Sequence, residues 1–259
     1  MTNTEQADRS FEGLSAIVTG GASGIGLATA QLLSAGGARV ATLDMSTDVP
    51  DPLVGLACDV TDDDAVRHAV KTAVERNGGI DILINNAGIG AQGTVIDNDQ
   101  DEWSTVFDVN VFGMVRVAKA AMPYLQKSSS AAIVNTGSIV AWAGLPERAL
   151  YSATKGAVHA LTLAMAADHV REGVRVNAVA PGTVHTPWIQ RLLDKADDPA
   201  AEEVALAARQ PHGRLVSADE VAAAICYLAS PAAGSTTGTV LAVDGGMHGL
   251  RLRPPTSLA

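Results

Sequence analysis

The chain has 259 residues, of which 47% are apolar, 18% charged and only 3% aromatic. That is too long for a disulfide-stapled mini-protein and too apolar for a disordered chain, and Val, Leu, Ile and Ala must build most of the core. The 28 acidic residues outnumber the 18 basic ones, giving a formal net charge of -10, which argues against general binding to nucleic acid or anionic membrane.

Residues 1–10 are polar and read as a frayed tail. No basic segment followed by an apolar one opens the chain, and no apolar run reaches membrane-spanning length, so the expectation is a soluble cytoplasmic protein. Cys58 and Cys226 could form one bridge at most and read better as buried thiols in a reducing compartment. In chain order, Leu14 to Thr19 is a strand ending in a glycine cluster, and Ile25 to Ala35 a helix stopped by Gly36-Gly37. Ala38 to Leu43 and Val54 to Ala57 are the next two strands. Asp62 to Arg76 is a helix with an acidic first turn, and Ile82 to Ile84 a wholly apolar strand. Asp101 to Leu125 reads as one long helix and Ala132 to Asn135 as a strand. Tyr151 to Val170 is a helix, Val174 to Val179 a strand, Ala218 to Leu228 a helix and Thr239 to Val243 a last strand.

Strands apolar on both faces and separated by helices predict a parallel sheet covered on both sides. Right-handed crossovers make it doubly wound, an α/β single domain spanning residues 11–250. The segment 184–216 breaks the rhythm. It is partly helical, too long for an ordinary connection, and comes after a strand at the end where ligands bind, so it reads as a substrate lid. Residues 251–259, with Pro254-Pro255, form a tail that frays or reaches a neighbouring subunit.

Thr19-Gly20-Gly21-Ala22-Ser23-Gly24-Ile25-Gly26 lies between the first strand and the first helix. Its glycines permit a tight turn and a close backbone approach to a pyrophosphate at the helix N-terminus. The spacing differs from the G-x-G-x-x-G fingerprint. Asp44 ends the second strand, where an acid hydrogen-bonds the adenosine ribose and repels a 2′-phosphate. No Arg or Lys stands at 21–25 or 45–47 to receive one, which favours NAD. Asp59, with Val60 after it, ends the third strand and could meet the adenine.

Tyr151 and Lys155 are four residues apart and share a helix face. A phenol near its ordinary pKa of about 10 is a poor base at neutral pH, and an adjacent ammonium stabilises the phenolate. Ser138 ends the preceding strand, where its hydroxyl can meet a substrate oxygen. No histidine pair has H-x-x-x-H spacing and no cysteine pair stands beside one, so metal catalysis is unsupported. His185 reads as a partly exposed loop residue.

From about Gly13 to Gly246 the sequence resembles the short-chain dehydrogenases/reductases. The resemblance rests on Thr19 to Gly26, Asp59, Asn85-Asn86-Ala87-Gly88, Asn110, Ser138, Tyr151-Ser152-Ala153-Thr154-Lys155, Pro181-Gly182 and Asp244-Gly245-Gly246. It implies a Rossmann fold of seven strands and a nicotinamide dinucleotide, with Gly20, Ser23, Gly24, Ile25, Gly26, Val184 and Thr186 in the cofactor set. Tyr151 would be the general acid/base, and Ser138 would bind the reacting oxygen. Lys155 would hold the nicotinamide ribose and lower the tyrosine pKa. Asn110 would hold a relay water. Asn86, Ala87 and Gly88 would line the cofactor cleft, and Pro181-Gly182 would flank the nicotinamide. The resemblance also implies a homodimer or homotetramer built on the two long helices.

Arg148 precedes Tyr151 by three residues, while Arg191 and Arg209 lie in the long segment. An arginine fork takes a carboxylate bidentately. The stretch Pro181 to Arg214 is similar to 2-keto-3-deoxy-L-fuconate dehydrogenases and to the cytosolic type of 3-hydroxybutyrate dehydrogenase, in which arginines matching Arg148 and Arg209 hold the substrate carboxylate. The leading expectation is therefore an NAD-dependent dehydrogenase acting on a small hydroxy acid or sugar acid. The alternatives are the same chemistry on a neutral sugar, polyol or cyclic alcohol, and a non-catalytic dinucleotide-binding regulator.

Overall fold

The computed structural model describes residues 9–194 and 196–253. The expected tail at 1–10 falls outside the described residues except for Arg9 and Ser10, and the expected tail at 251–259 falls outside from residue 254 onward.

The elements run β1 (Ser15–Thr19), α1 (Gly24–Ala35), β2 (Arg39–Asp44), β3 (Val54–Ala57), α2 (Asp63–Asn77), β4 (Ile82–Asn85), α3 (Gln100–Phe107), α4 (Met114–Leu125) and β5 (Ala132–Thr136). They continue through α5 (Ala149–His169), β6 (Arg175–Pro181), β7 (Val184–His185), α6 (Pro187–Leu193), α7 (Pro199–Ala208), β8 (Val216–Ser217), α8 (Ala218–Ala229) and β9 (Val240–Val243). Seven strands form one parallel sheet in the order β3-β2-β1-β4-β5-β6-β9. The winding reverses between β1 and β4, which leaves a crevice at their carboxyl ends.

The apolar strands serve two cores by alternation, as a pleat requires. Ile17, Leu83 and Ile133 face a layer of α2, α4 and α5, with Val66, Val70, Val117 and Leu125. Ala16, Val18, Ile82, Ile84 and Val134 face the other layer, with Ala30 and Leu33 of α1 and Val221 and Ile225 of α8. Local chemistry sets the helix ends. Asp62 accepts from the amides of Asp64 and Ala65, and Gly78 closes α2 with φ +78°. Ser217 and Glu220 form a reciprocal capping box on α8. Both cysteines are buried and free, and burial pushes the thiols up to about 11 and about 12.

One expectation changes. The helix read as continuous over 101–125 is interrupted by a π-helical turn, Asp108–Gly113. The wider turn rotates α4 about the helix axis relative to α3, so the two do not share one periodic face. The segment 184–216, expected to be partly helical, is so. It holds two helices, and its ends are joined by parallel pairing of Val184 with Val216 and His185 with Ser217. No helix among the described residues is long and apolar enough to cross a membrane.

Candidate active site

A cavity of about 840 Å³ opens along the carboxyl ends of the strands, from Asp44 at one end to the lid arginines at the other. Every residue expected at the site lines it except Gly26 and Asn110. Those two stand just behind the wall. A Cβ on Gly26 would lie 2.0 Å from the carbonyl oxygen of Gly20, so this position admits no side chain while the turn keeps its shape. Gly20 itself adopts φ +64°, the left-handed region that glycine occupies without strain.

The turn is stitched to β4 by groups outside the glycine motif. The Thr19 hydroxyl accepts from the amides of Asn86 (2.9 Å) and Ala87 (3.0 Å). Asn86 Nδ2 donates to the carbonyls of Thr19 and Gly20. Asp44 accepts from the Ala22 amide at 3.0 Å through one oxygen and from the Ser46 amide at 3.1 Å through the other, while still lining the cavity. Asp59 lies two residues beyond β3 rather than at its end, and accepts from both the amide and the hydroxyl of Thr61. Those bonds hold its carboxyl below the ordinary range.

Tyr151, Lys155 and Ser138 meet at the middle of the cavity. The ammonium of Lys155 sits 5.6 Å from the Tyr151 ring centroid and donates to the Thr136 carbonyl at 2.9 Å. The expected lowering of the phenol pKa by Lys155 is not what dominates here. Burial pushes Tyr151 up to about 12, opposed by a hydrogen bond with Ser138 and by the charge of Arg148. Burial likewise brings Lys155 down to about 8. Burial is the largest cause of both shifts.

Asn110 rides on the π-helical turn and is fully buried. Its Oδ1 accepts from the Ile89 amide (2.8 Å), and its Nδ2 donates to the Ile89 carbonyl (2.9 Å) and the Thr154 hydroxyl (3.2 Å). A Cβ on Gly88 would stand 3.1 Å from that Oδ1 and 3.6 Å from the Lys155 nitrogen, so both groups converge over Gly88.

Charge is polarised along the cavity. Asp44 and Asp59 line one end, Arg148, Arg191 and Arg209 the other, with Lys155 between. None of the three arginines forms a salt bridge among the described residues. Burial first, and then the charge of Arg209, lowers the pKa of Arg148, so the two guanidinium groups repel across the pocket. His185 is exposed and outside the cavity lining. No group of three or more candidate metal ligands occurs among the described residues.

Several lining residues carry no sequence signal. Trp188 on α6 presses its ring edge toward Gly90, where a Cβ would lie 2.7 Å from Cζ2. Val140, Leu145 and Leu206 complete an apolar wall. An apolar residue in a loop or on a lid looks the same in sequence whether it faces a ligand or a core.

A family model described as enoyl-(acyl carrier protein) reductase matches residues 20–248. The chain belongs to the short-chain dehydrogenases/reductases. It is 39% identical to the cis-4-hydroxycyclohexanecarboxylate dehydrogenase of Sinomonas cyclohexanicum, over 89% of this chain and 95% of that one. It is 36% identical to the 3-oxoacyl-(acyl carrier protein) reductase of Thermotoga maritima, over 92% and 98%. The ligand-free aldohexose dehydrogenase of Thermoplasma acidophilum superimposes with a TM-score of 0.89 at 32% identity, covering 97% of this chain and 99% of that one. This dehydrogenase/reductase is therefore an oxidoreductase of a family that uses a nicotinamide dinucleotide, with the single-domain Rossmann sheet of its relatives.

Proposed function

We propose that this enzyme interconverts a secondary alcohol and a ketone on a small hydroxy acid, using NAD. The observation that carries the reading is the convergence, in one cavity, of Tyr151, Ser138 and Lys155 with Arg148 and Arg209, neither of which forms a salt bridge among the described residues. Bound dinucleotide supplies the hydride acceptor or donor. The chain's own groups manage position and proton. Ser138 orients the reacting oxygen, and Tyr151 takes or gives the proton at that oxygen. Lys155, anchored on the Thr136 carbonyl, and Asn110, anchored on Ile89, hold the ribose side and the path by which the proton leaves.

The residues fit an NAD-type dinucleotide. The glycine turn keeps its shape because Gly26 carries no Cβ to meet the Gly20 carbonyl, and Asp44, at the carboxyl end of β2, lines the same cavity, which supports a contact to the adenosine ribose. A side chain at Gly21 would begin 2.6 Å from Thr42 Cβ, so the turn has no room there for a phosphate-binding arginine.

The Sinomonas relative, named for a hydroxycarboxylate, supports an acidic substrate. With Ser138, Tyr151, Lys155 and Asn110 all present in an oxidoreductase family, the non-catalytic regulator reading loses its support. Exposed Phe112, Val115 and Leu163 on the π-turn, α4 and α5 support pairing with a second copy.

The test compares a hydroxy acid with its methyl ester, using wild type, Arg148→Ala and Arg209→Ala. A charge-assisted hydrogen bond contributes about 1.5–3 kcal/mol, so each lost contact is expected to reduce kcat/KM on the acid roughly tenfold to a hundredfold. Lysine at either position should restore only part of it. A wild type that prefers the ester, or arginine variants that leave the acid-to-ester ratio unchanged, would shift the reading to a neutral alcohol.

A further inference from the structure

We infer that the substrate carries its hydroxyl and carboxylate on an apolar aliphatic or alicyclic body, not on a polyhydroxylated chain. This rests on the carboxylate reading of the same site and narrows it.

Much of the lining that the reacting groups share with the arginines is hydrocarbon. Ile139, Val140, Leu145, Trp188, Ile189 and Leu206 line that stretch. The acids and amides of the cavity lining, Asp44, Asp59 and Asn86, all stand at the dinucleotide end. Asn86 is occupied with the glycine turn. The remaining hydroxyls near the lid are Thr183 and Thr186, and Thr186 caps α6 on the Ile189 amide. Arginines donate only. A sugar acid would bring three or more further hydroxyls, each of which needs acceptors as well as donors, into this apolar stretch.

The wall is also braced. Leu206 is almost fully buried and packs with Ile189 and Leu193 in the lid's own small core. The close approach of Trp188 to Gly90 limits how far the indole can withdraw. An apolar pocket rejects an added hydroxyl by on the order of tenfold to a hundredfold, and several stranded hydroxyls compound that.

Cyclohexanecarboxylate and quinate share ring and carboxylate and differ by four hydroxyls, so they isolate this property. Their affinities for the enzyme–NAD complex are measured by calorimetry, with cyclohexanecarboxamide as the neutral control and hexanoate and gluconate as the open-chain pair. Turnover is measured with 4-hydroxycyclohexanecarboxylate and with quinate.

The expected result is binding of cyclohexanecarboxylate or hexanoate at least a hundredfold tighter than the hydroxylated partner, with turnover in the same order. Val140→Thr, which adds one hydroxyl at nearly constant volume, should narrow the gap. Quinate or gluconate binding as well as the plain acid overturns the apolar body while leaving the carboxylate reading intact. The carboxamide binding as tightly as the acid overturns the carboxylate reading and leaves the apolar wall. Failure of both plain acids to bind overturns the inference.

Discussion

Tyr151 enters the pocket as a protonated phenol, because burial pushes its pKa up to about 12. In the proposed reaction that protonation state suits donation to a ketone oxygen, and oxidation needs the neighbouring charges to bring the phenol down. Tyr151→Phe keeps the ring and deletes the hydroxyl. Turnover should fall by roughly 10²–10⁴-fold, with cofactor affinity, measured by NADH fluorescence, little changed. A second residue on the same face, His159, lies four positions after Lys155 and is buried, with neither ring nitrogen hydrogen-bonded among the described residues. Burial first, and then the charge of Lys155, pushes its pKa down to about 4. A folded value below the unfolded 6.5 means the unfolded chain binds the proton more readily in that window. The stability His159 contributes is therefore complete above pH 6.5 and lost as pH falls toward 4. Between about pH 7 and about pH 5 the loss should be about 2 kcal/mol. Denaturant unfolding at the two pH values should show it in wild type and not in His159→Gln, and equal losses in both would remove His159 as the source.

At the scale of elements, the π-helical turn and the lid clamp make connections that regular helices could not. The π-turn delivers Asn110 to Ile89 and Thr154, tying the loop after β4 to α5. The lid is held at its base by the β7–β8 pair and by Gln210, which is buried just past α7. Gln210 Oε1 accepts from the Thr183 amide at 2.7 Å, and its Nε2 donates to the Leu206 and Arg214 carbonyls. Replacing it with Leu strands these backbone groups, at about 1–3 kcal/mol of local stability. Limited proteolysis should then cut within 184–216 sooner than in wild type, with KM for substrate rising more than KM for NAD. An unchanged cleavage rate would show that the strand pair alone holds the lid.

Over the whole molecule, one sheet separates two cores and leaves its functional chemistry along a single edge. The winding reversal sets the glycine turn beside Asn86, and the polarity of the cleft runs from carboxylates to guanidinium groups. That polarity predicts cofactor choice. A 2′-phosphate would meet Asp44 with no lysine or arginine at 21–25 or 45–47 beside it, so kcat/KM should be clearly higher with NAD than with NADP. Asp44→Ala should narrow the difference, although it also frees the Ala22 amide. Equal efficiency in wild type would overturn the assignment.

The sequence by itself determined the sheet, the site's main chemical groups and the family. Its strands are short, apolar on both faces and spaced by helices, and the glycine turn, Ser138 and the Tyr151–Lys155 pair are marked by local spacing. Tertiary structure alone decided what depends on distance between remote residues. The four-residue spacing of Tyr151 and Lys155 is visible in the chain, but the burial that dominates their pKa shifts is a property of the packed cleft. The π-turn at Asn110 was hidden because its residues also satisfy a regular helical pattern. Trp188 and Leu206 of the segment 184–216 line one cavity with Leu145 and Ser138 only in the folded chain, and an apolar side chain carries no mark in the sequence of what it faces. The two arginines, 61 positions apart (209 − 148), meet only because the β7–β8 clamp returns the lid to the mouth of the cavity.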